Sequence, residues 1–283
     1  DRYINLFTDY GFKKLFGEEP NKDLLIAFLN DLLRKDVKIE ELTYLKNERL
    51  GREERERRAV YDLYCTNEKG EKFIIEIQRV KQEFFKDRSV FYSSFAIQDQ
   101  ARKGKDWKYE MKGVYTIAML DFEFDDTDKN EFEHYVQLVN TRTNKVFYDK
   151  LTYVYFEIPK FNKPLSDLKT NYDRWLFAFK NLHKLDQMPK ELEQGIFKKL
   201  FDLAEIARMD FTERSVYEDS LKDYRDLKSA LETSFKEGKE EGEFNKAIKV
   251  AKNAIQEGFD NKVIKKLTGL AFEHIEELRN NKE

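Results

Sequence analysis

The clearest pattern of hydrophobic and polar positions spans residues 59–78, where two short runs of alternating side chains flank a polar turn. Side chains of a strand point alternately to opposite faces, so each run predicts a strand. The Asn-Glu-Lys-Gly sequence at 67–70 favours a turn, and the whole stretch predicts an antiparallel hairpin. The expected faces are Val60, Asp62 and Tyr64 against Tyr61, Leu63 and Cys65 in the first strand, and Ile74, Glu76 and Gln78 against Phe73, Ile75 and Ile77 in the second.

This hairpin brings two carboxylates together. A turn centred near Lys69 places Asp62 opposite Glu76, and a loop shorter by one residue still leaves them close. Like charges directly opposite each other destabilise a sheet, and desolvation adds to the penalty. A bound Mg²⁺ would relieve it, because Mg²⁺ binds one or two carboxylates together with waters and phosphate oxygens. The Ile77 carbonyl would lie beside this ion and Gln78 on the same face. The alternative is a surface hairpin whose acidic side chains point to solvent.

Further elements follow from the spacing of apolar residues. Helical spacing predicts an amphipathic helix over 22–34, with Asn21 as its N-cap. A helix over 82–103 is expected to be the crossover that parallel strands require. Its apolar face consists of Phe84, Phe85, Val90, Phe91, Phe95 and Ile97. Strands are expected within 37–48 and at 112–120, 132–139 and 152–158. The order predicts an α/β fold with a mixed central sheet flanked by helices.

The chain becomes helical after about residue 164. Helices are expected over 165–182, 191–207 and 210–257, and the aromatic residues of the first are interpreted as core and not as a platform for stacking bases. Gly238 and Gly242 each lower helix stability by about 1 kcal/mol relative to Ala, which indicates a hinge or break. We therefore predict three parts: a core at 1–160, a helical region at 161–238 and a small C-terminal module at 239–283.

The C-terminal module resembles a helix-turn-helix unit, with two short helices on either side of Thr268-Gly269-Leu270. The second helix contains Glu273, Glu276 and Glu277, whose charge opposes an approach to phosphate. A packing or assembly module is therefore favoured over one that contacts base edges. Copies of the chain are expected to associate through these C-terminal helices.

Composition limits the function further. The 283 residues contain 52 Lys and Arg against 55 Asp and Glu, a net charge of −3, so the chain is not basic overall as most nucleic-acid modules are. The single cysteine, Cys65, excludes an internal disulfide and is expected to be a core residue in a reducing cytoplasm. No signal peptide or membrane-spanning run is expected. A Ser-His-Asp triad, a glycine-rich phosphate loop and a zinc site are not indicated either.

Asp62, followed by Glu76-Ile77-Gln78, resembles the D…ExQ variant of the PD-(D/E)XK nuclease signature. Three other segments are similar to one group within it, the PD-(D/E)XK family transposases, or Rpn recombination-promoting nucleases: TDYGFKKLFGEE (8–19), the segment 87–124 and the tail 258–278. The resemblance implies a PD-(D/E)XK nuclease-like fold and a metal-dependent DNA endonuclease, associated with DNA recombination or mobile elements. Mg²⁺ or Mn²⁺ would be the cofactor and DNA the partner.

The resemblance also implies roles for individual residues. Asp62, Glu76 and the Ile77 carbonyl would hold the metal, and Gln78 would position the attacking water or a phosphate oxygen. Asp9, Lys13 and Glu48 are secondary candidates. Because Gln78 replaces the lysine of the usual signature, a nearby cation is expected to substitute for its charge; the candidates are Arg79, Lys81, Arg88 and Lys13.

The arginine-rich stretch 49–58 is either a solvated loop or a segment whose guanidinium groups contact phosphates. Two other functional classes stay open for the chain as a whole. One is a catalytically weak or inactive nuclease fold that binds nucleic acid. The other is an assembly protein whose charged C-terminal helices are the functional part.

Overall fold

The computed structural model describes residues 1–33, 37–46, 48–49, 59–101 and 108–280, with no side-chain description for residues 48, 49 and 59. Its strands are β1 (Leu42–Tyr44), β2 (Glu48–Arg49), β3 (Ala59–Val60), β4 (Leu63–Asn67), β5 (Lys72–Gln78), β6 (Val114–Leu120), β7 (Glu133–Asn140) and β8 (Lys145–Glu157). Its α-helices are α1 (Asp9–Phe16), α2 (Lys22–Leu32), α3 (Phe85–Gln98), α4 (Asn171–Asn181), α5 (Ile196–Ala204), α6 (Phe211–Gln256), α7 (Asn261–Thr268) and α8 (Phe272–Asn280). Short 3₁₀ turns connect several of them.

Six of the strands form one mixed sheet in the order β1-β4-β5-β6-β8-β7. The β4–β5 pair is antiparallel, whereas β5–β6 and β6–β8 are parallel. The crossover from β5 to β6 contains α3, as parallel neighbours require. This confirms the predicted α/β class and the mixed central sheet. β2 and β3 form a separate two-stranded pair.

Helices cover both faces of the sheet. One face packs against α1, α2, α4 and α5 in the largest hydrophobic cluster, in which Trp175 and Phe179 of α4 are fully buried. The aromatic residues of 165–182 thus include core residues, as predicted. The other face packs against α3 in two smaller clusters, one around Tyr64 and Ile74 and one around Tyr155. β4, β5 and β6 are nearly all buried between these layers, as expected for the part of a sheet that is covered on both faces.

The hairpin at 59–78 forms with the predicted register, since Leu63 pairs with Ile75. Its first strand is not continuous, however. Val60 belongs to β3, which pairs with β2, and a bend at Asp62 separates it from β4. Tyr61 was therefore assigned to the wrong face: it packs beside Tyr64 on the α3 side, with ring centroids 5.1 Å apart.

The predicted apolar face of α3 is buried only in part: Phe85 is buried and Phe95 and Ile97 pack against the core, whereas the other three residues are exposed. Toward the sheet the helix presents Phe85, Ser89, Ser93 and Ala96. The Ser89 and Ser93 hydroxyls lie 2.6 and 2.7 Å from those of Tyr155 and Tyr153. Small hydroxyl residues allow the helix to approach two sheet tyrosines whose polar groups need partners. Phe84, Val90 and Phe91 remain on the exposed side.

Other expectations need smaller corrections. Asn21 precedes α2, but its side chain does not cap that helix; its amide donates to the carbonyl of Lys14 instead. α3 spans Phe85–Gln98 and is therefore shorter at both ends than the predicted helix over 82–103, of which residues 102 and 103 lie outside the described residues. β8 is longer than predicted, because its first half extends with β7 beyond the sheet interior.

The chain divides into two compact units, Asp1–Tyr224 and Arg225–Glu283. α6 runs through Gly238 and Gly242 without the expected break, since a helix of this length tolerates a loss of about 1 kcal/mol at each glycine. Within the second unit, the end of α6, α7 and α8 share a small core around Ile264 and Ile275. The division at residues 160 and 238 stays a prediction about which segments fold independently.

Candidate active site

The two carboxylates expected to be neighbours lie where β4 begins and β5 ends. The register that pairs Leu63 with Ile75 puts Asp62, one residue earlier, opposite Glu76. Asp62 Oδ2 accepts a hydrogen bond of 2.7 Å from the Ile77 amide. Glu76 is only 5% exposed. Its Oε1 is buried without a hydrogen-bond partner among the described residues.

This arrangement makes ionisation of both acids unfavourable. Burial, followed by the charge of Asp62, raises the pKa of Glu76 to about 8, although Arg88 acts in the opposite direction. Burial also raises the pKa of Asp62, against the lowering effect of the Ile77 amide. Two adjacent acids with raised pKa values at the mouth of a sheet are typical of functional sites. They identify a place where a further positive charge would be stabilising.

Gln78 and Arg88 form the side of the site that faces α3. Arg88 Nη2 lies 3.3 Å from Glu76 Oε2 and 3.3 Å from Gln78 Oε1. The Gln78 amide nitrogen donates to the Val80 carbonyl at 2.9 Å, which orients the amide oxygen toward Arg88. A second nitrogen of Arg88 donates to Gln82 at 2.6 Å. A cation supplied by α3 thus contacts Gln78, the residue at the position where the usual signature has lysine.

Asp9 and Lys13 lie on the other side of the site. They form an ion pair of 2.7 Å on α1. The charge of Asp9 raises the pKa of Asp62, whereas the charges of Lys13 and Arg79 lower it. Together these three residues line a cleft of about 500 Å³, whose far wall includes Asp219 and Asp223 of α6. Of the secondary candidates, therefore, Asp9, Lys13 and Arg79 do lie beside Asp62.

The remaining candidates lie elsewhere or outside the description. Lys81 forms an ion pair with Asp125 and does not line the cleft beside Asp62. Glu48 lies in β2 opposite Val60, but its side chain is outside the described residues. The arginine-rich segment is outside them as well, from residue 50 to 58. The Ile77 carbonyl belongs to the residue whose amide contacts Asp62. Amide and carbonyl of one strand residue face the same neighbouring strand, so this carbonyl is directed to the same side of the site.

The donor set fits a hard divalent cation. Within the described residues, no group of three or more His, Cys, Asp and Glu side chains is arranged to hold a metal. Mg²⁺ does not need such a group, because it keeps several waters and binds through one or two carboxylates. The partnerless Oε1 of Glu76 and the opposed Asp62 meet that requirement.

The link between Arg88 and the hairpin was only one of four alternatives at the sequence level. Arg88 is ten residues from Gln78 and lies in the first turn of a helix. Arg79 and Lys81 are both closer to Gln78 in the sequence. Only the packing of α3 on the sheet decides which cation reaches Glu76. No local signal in the sequence distinguishes Arg88 from Arg79, Lys81 and Lys13.

A mixed sheet between helical layers, with two acids on an antiparallel hairpin that leads into a parallel crossover, defines a nuclease fold of the PD-(D/E)XK class. The family model described as PD-(D/E)XK nuclease family transposase matches residues 6–234, and the chain belongs to that family. It is a nuclease-type hydrolase. Its similar tail, 258–278, lies beyond the matched residues. No curated protein and no solved structure gives a significant match.

None of the helices in the described part of the chain is long and apolar enough to cross a bilayer.

Proposed function

We propose that the protein is a Mg²⁺- or Mn²⁺-dependent DNA endonuclease that hydrolyses phosphodiester bonds at the Asp62–Glu76 pair. The observation that supports this most directly is the buried, opposed pair of acids, one oxygen of which has no hydrogen-bond partner among the described residues. Membership of a nuclease family supplies the reaction class.

Asp62, Glu76 and the Ile77 carbonyl would hold the cation. When bound, it would lower the pKa of a coordinated water and neutralise charge that develops on the phosphate. The Ile77 amide fixes one oxygen of Asp62 by a hydrogen bond of 2.7 Å. The other carboxylate is held by β5, whose pairing on both edges leaves little freedom of position.

Arg88 would replace the positive charge of the signature lysine. Its guanidinium contacts both Glu76 and Gln78, and guanidinium groups suit the geometry of phosphate oxygens. Gln78, with its amide engaged by Arg88 and Val80, would orient that cation or a phosphate oxygen. Lys13 and Arg79 would contact the bound DNA strand on the opposite side of Asp62.

We further propose that the activity serves DNA recombination or mobile elements, as the family name indicates, and that it is cytoplasmic. The buried unpaired Cys65 is suited to a reducing compartment. Copies would associate through the C-terminal helices, where Leu227, Leu231 and Phe235 are 40%, 41% and 75% exposed along one side of α6.

The first prediction concerns cleavage of supercoiled and linear DNA. We expect cleavage with Mg²⁺ or Mn²⁺ and none with EDTA, and a loss of at least 100-fold in Asp62→Ala and in Glu76→Ala, because each removes one of two carboxylate ligands. Gel assays measure it, with circular dichroism to show that both variants fold. Glu218→Ala, an exposed acid on α6, is the matched control and should cleave like the parent.

Two results would contradict the proposal. The first is cleavage that is unchanged in either carboxylate variant, which would place the chemistry elsewhere. The second is an inert parent protein with both metals. If that inert protein still binds DNA, the alternative of a nuclease fold that binds nucleic acid without turnover replaces ours.

A further inference from the structure

The outer surface of α3 carries large aromatic side chains. Phe84, just before the helix, is 65% exposed and Phe91 is 45% exposed, while the sheet side consists of Phe85, Ser89, Ser93 and Ala96. Large aromatic side chains left in solvent at neighbouring positions indicate an interaction surface. Stability of the fold does not explain them, since they lie away from the sheet.

These aromatic residues border a groove of about 460 Å³, which we call the α3 groove; it is lined by Gln82, Glu83, Phe84, Asp87, Arg88, Phe91 and Tyr92. Its volume lies in the range of small-ligand sites, roughly 300–1,000 Å³. Phe84, Arg88 and Phe91 are spaced four and three residues apart, so they follow one stripe of the helix.

Arg88 connects the groove to the candidate active site. Its guanidinium lies 5.1 Å from the ring centre of Tyr92 in the groove. The same guanidinium is 3.3 Å from Glu76 and from Gln78. A strand whose phosphate reaches the Asp62–Glu76 pair and Arg88 therefore has an adjacent nucleotide beside the groove.

We propose that the α3 groove binds one unpaired base of the DNA strand being cut, so that the preferred substrate is single-stranded DNA or the unpaired strand at an end or junction. The proposal rests on the proposed nuclease function and names its substrate class. The base stacks against Phe84 and Phe91, as bases of any sequence stack on aromatic side chains in single-strand binding proteins.

The polar rim of the groove favours a base over a phosphate. Glu83 and Asp87 repel phosphate but accept hydrogen bonds from the exocyclic amino groups of bases. Gln82, held by Arg88 at 2.6 Å, provides an amide at the same rim. A base within an intact duplex is stacked between its neighbours and cannot reach the groove without being extruded.

The test compares binding of three fluorescent probes: a short oligodeoxycytidylate, whose bases carry an exocyclic amino group, the same strand with abasic sites, and a blunt duplex. Anisotropy is measured with Ca²⁺ in place of Mg²⁺, and gels verify that the probes stay intact. The protein is the full chain, either parent or the double variant Phe84→Ala/Phe91→Ala. Phe147→Ala is the matched control, since that phenylalanine is 79% exposed on β8 and outside the groove.

We expect the double variant to bind the single strand about tenfold more weakly, within the range for loss of one base–aromatic stack. Its affinities for the abasic strand and the duplex should stay within about twofold of the parent's, and the control should match the parent on all three probes. Both replaced side chains are exposed, and circular dichroism checks that the variant is folded.

Equal single-strand affinity in parent and double variant would overturn the proposal, as would an equal loss on the abasic strand. A change of sedimentation coefficient with unchanged DNA affinity would also overturn it, by assigning the groove to a second copy of the chain. Cleavage assays separate the two claims. If the parent cuts DNA and the double variant shows no binding defect, only the proposal that the α3 groove binds a base is contradicted. If the parent is inert but its preference for the single strand depends on Phe84 and Phe91, only the proposed nuclease activity is contradicted.

Discussion

Gln78 takes the position at which the usual signature has lysine, and its side chain is engaged at both ends. Its oxygen contacts Arg88, and its nitrogen donates to the Val80 carbonyl. A lysine here would put two cations within a few ångströms of each other. In the proposed mechanism the two residues would divide the task of one: Arg88 would supply the charge and Gln78 would orient it.

Glu76 gives a prediction at the same scale, made for the metal-free protein. Its pKa is raised from 4.5 to about 8 in the folded state, so between these values the folded chain holds a proton that the unfolded chain has lost. The free energy of unfolding then falls as pH rises, by at most about 1.4 kcal/mol per pH unit from this group. Glu76→Gln does not titrate and should show a flatter profile.

Urea denaturation in EDTA at several values between pH 5 and 8 measures the difference. The gap in unfolding free energy between Glu76→Gln and the parent should widen toward pH 8 in favour of the variant. Parallel profiles would show that Glu76 ionises normally. Burial and the charge of Asp62 would then not disfavour ionisation of Glu76 as we infer.

At the residue scale, the sequence predicts that the two acids lie opposite each other, but it does not predict which residues contact them. Strand alternation and the turn at 67–70 predict the Asp62–Glu76 register, because both signals are local. Partners of Glu76 from another element, such as Arg88, depend on how α3 packs. The bend at Asp62, which moves Tyr61 to the other face, is also set by the separate pairing of β2 with β3.

Among the elements, α3 departs furthest from its sequence pattern. Only part of its predicted apolar face is buried: Phe85 faces the sheet, together with two serines that meet tyrosines of β8. Ser93 Oγ donates to the Val90 carbonyl at 2.8 Å, so it accepts from Tyr153. Periodicity locates a helix well, but it assigns exposed aromatic residues to the interior when part of the true interior contact is polar.

We expect Ser93→Ala to lower the free energy of unfolding by about 1–3 kcal/mol, because it leaves the buried Tyr153 hydroxyl without its acceptor. Tyr153→Phe in the same chain should recover part of that loss, since it removes the orphaned group. Ser94→Ala is the control on the same helix; its hydroxyl contacts the Phe91 carbonyl and its loss should change stability by less than about 0.5 kcal/mol.

Chemical denaturation of the four chains measures these differences. Equal stability of Ser93→Ala and Ser94→Ala would contradict the polar interface. α3 would then be held on the sheet by its apolar contacts alone. The exposure of Phe84 and Phe91 would then no longer support a ligand-binding groove.

For the whole molecule, the two compact units and the family match indicate where the segment that contains the candidate site ends. The first unit reaches Tyr224, and the matched residues end at 234. The second unit contains α7 and α8, which form the two short helices predicted from the Gly269 turn. Glu273, Glu276 and Glu277 of α8 still argue for packing or assembly and against base contact.

Removing residues 225–283, the whole second unit, should therefore leave cleavage within about twofold of the parent, while the mass measured by light scattering falls to that of one chain. The physical reason is that the candidate site lies wholly within the first unit, and the helices proposed for self-association lie in the second. Lost cleavage in a folded truncated chain would contradict this separation. It would favour the alternative in which the C-terminal helices are the functional part.

Length and local patterns predicted the fold class because the strand and helix order of 1–160 is regular. The extent of the core was less predictable: residues of α4 and α5 pack in the same cluster as α1 and α2, a contact between segments far apart in sequence. The continuity of α6 through its glycines likewise depends on the whole helix and not on two positions.

The most direct test of the account is the position of the metal itself, found by anomalous diffraction from crystals of the protein soaked in Mn²⁺. We predict one strong peak about 2.1 Å from a carboxylate oxygen of Asp62 and from one of Glu76, near the Ile77 carbonyl. The peak should disappear in Glu76→Gln crystals. No peak there at millimolar Mn²⁺, or one at another cluster of acids, would contradict the claim that this hairpin is the catalytic centre.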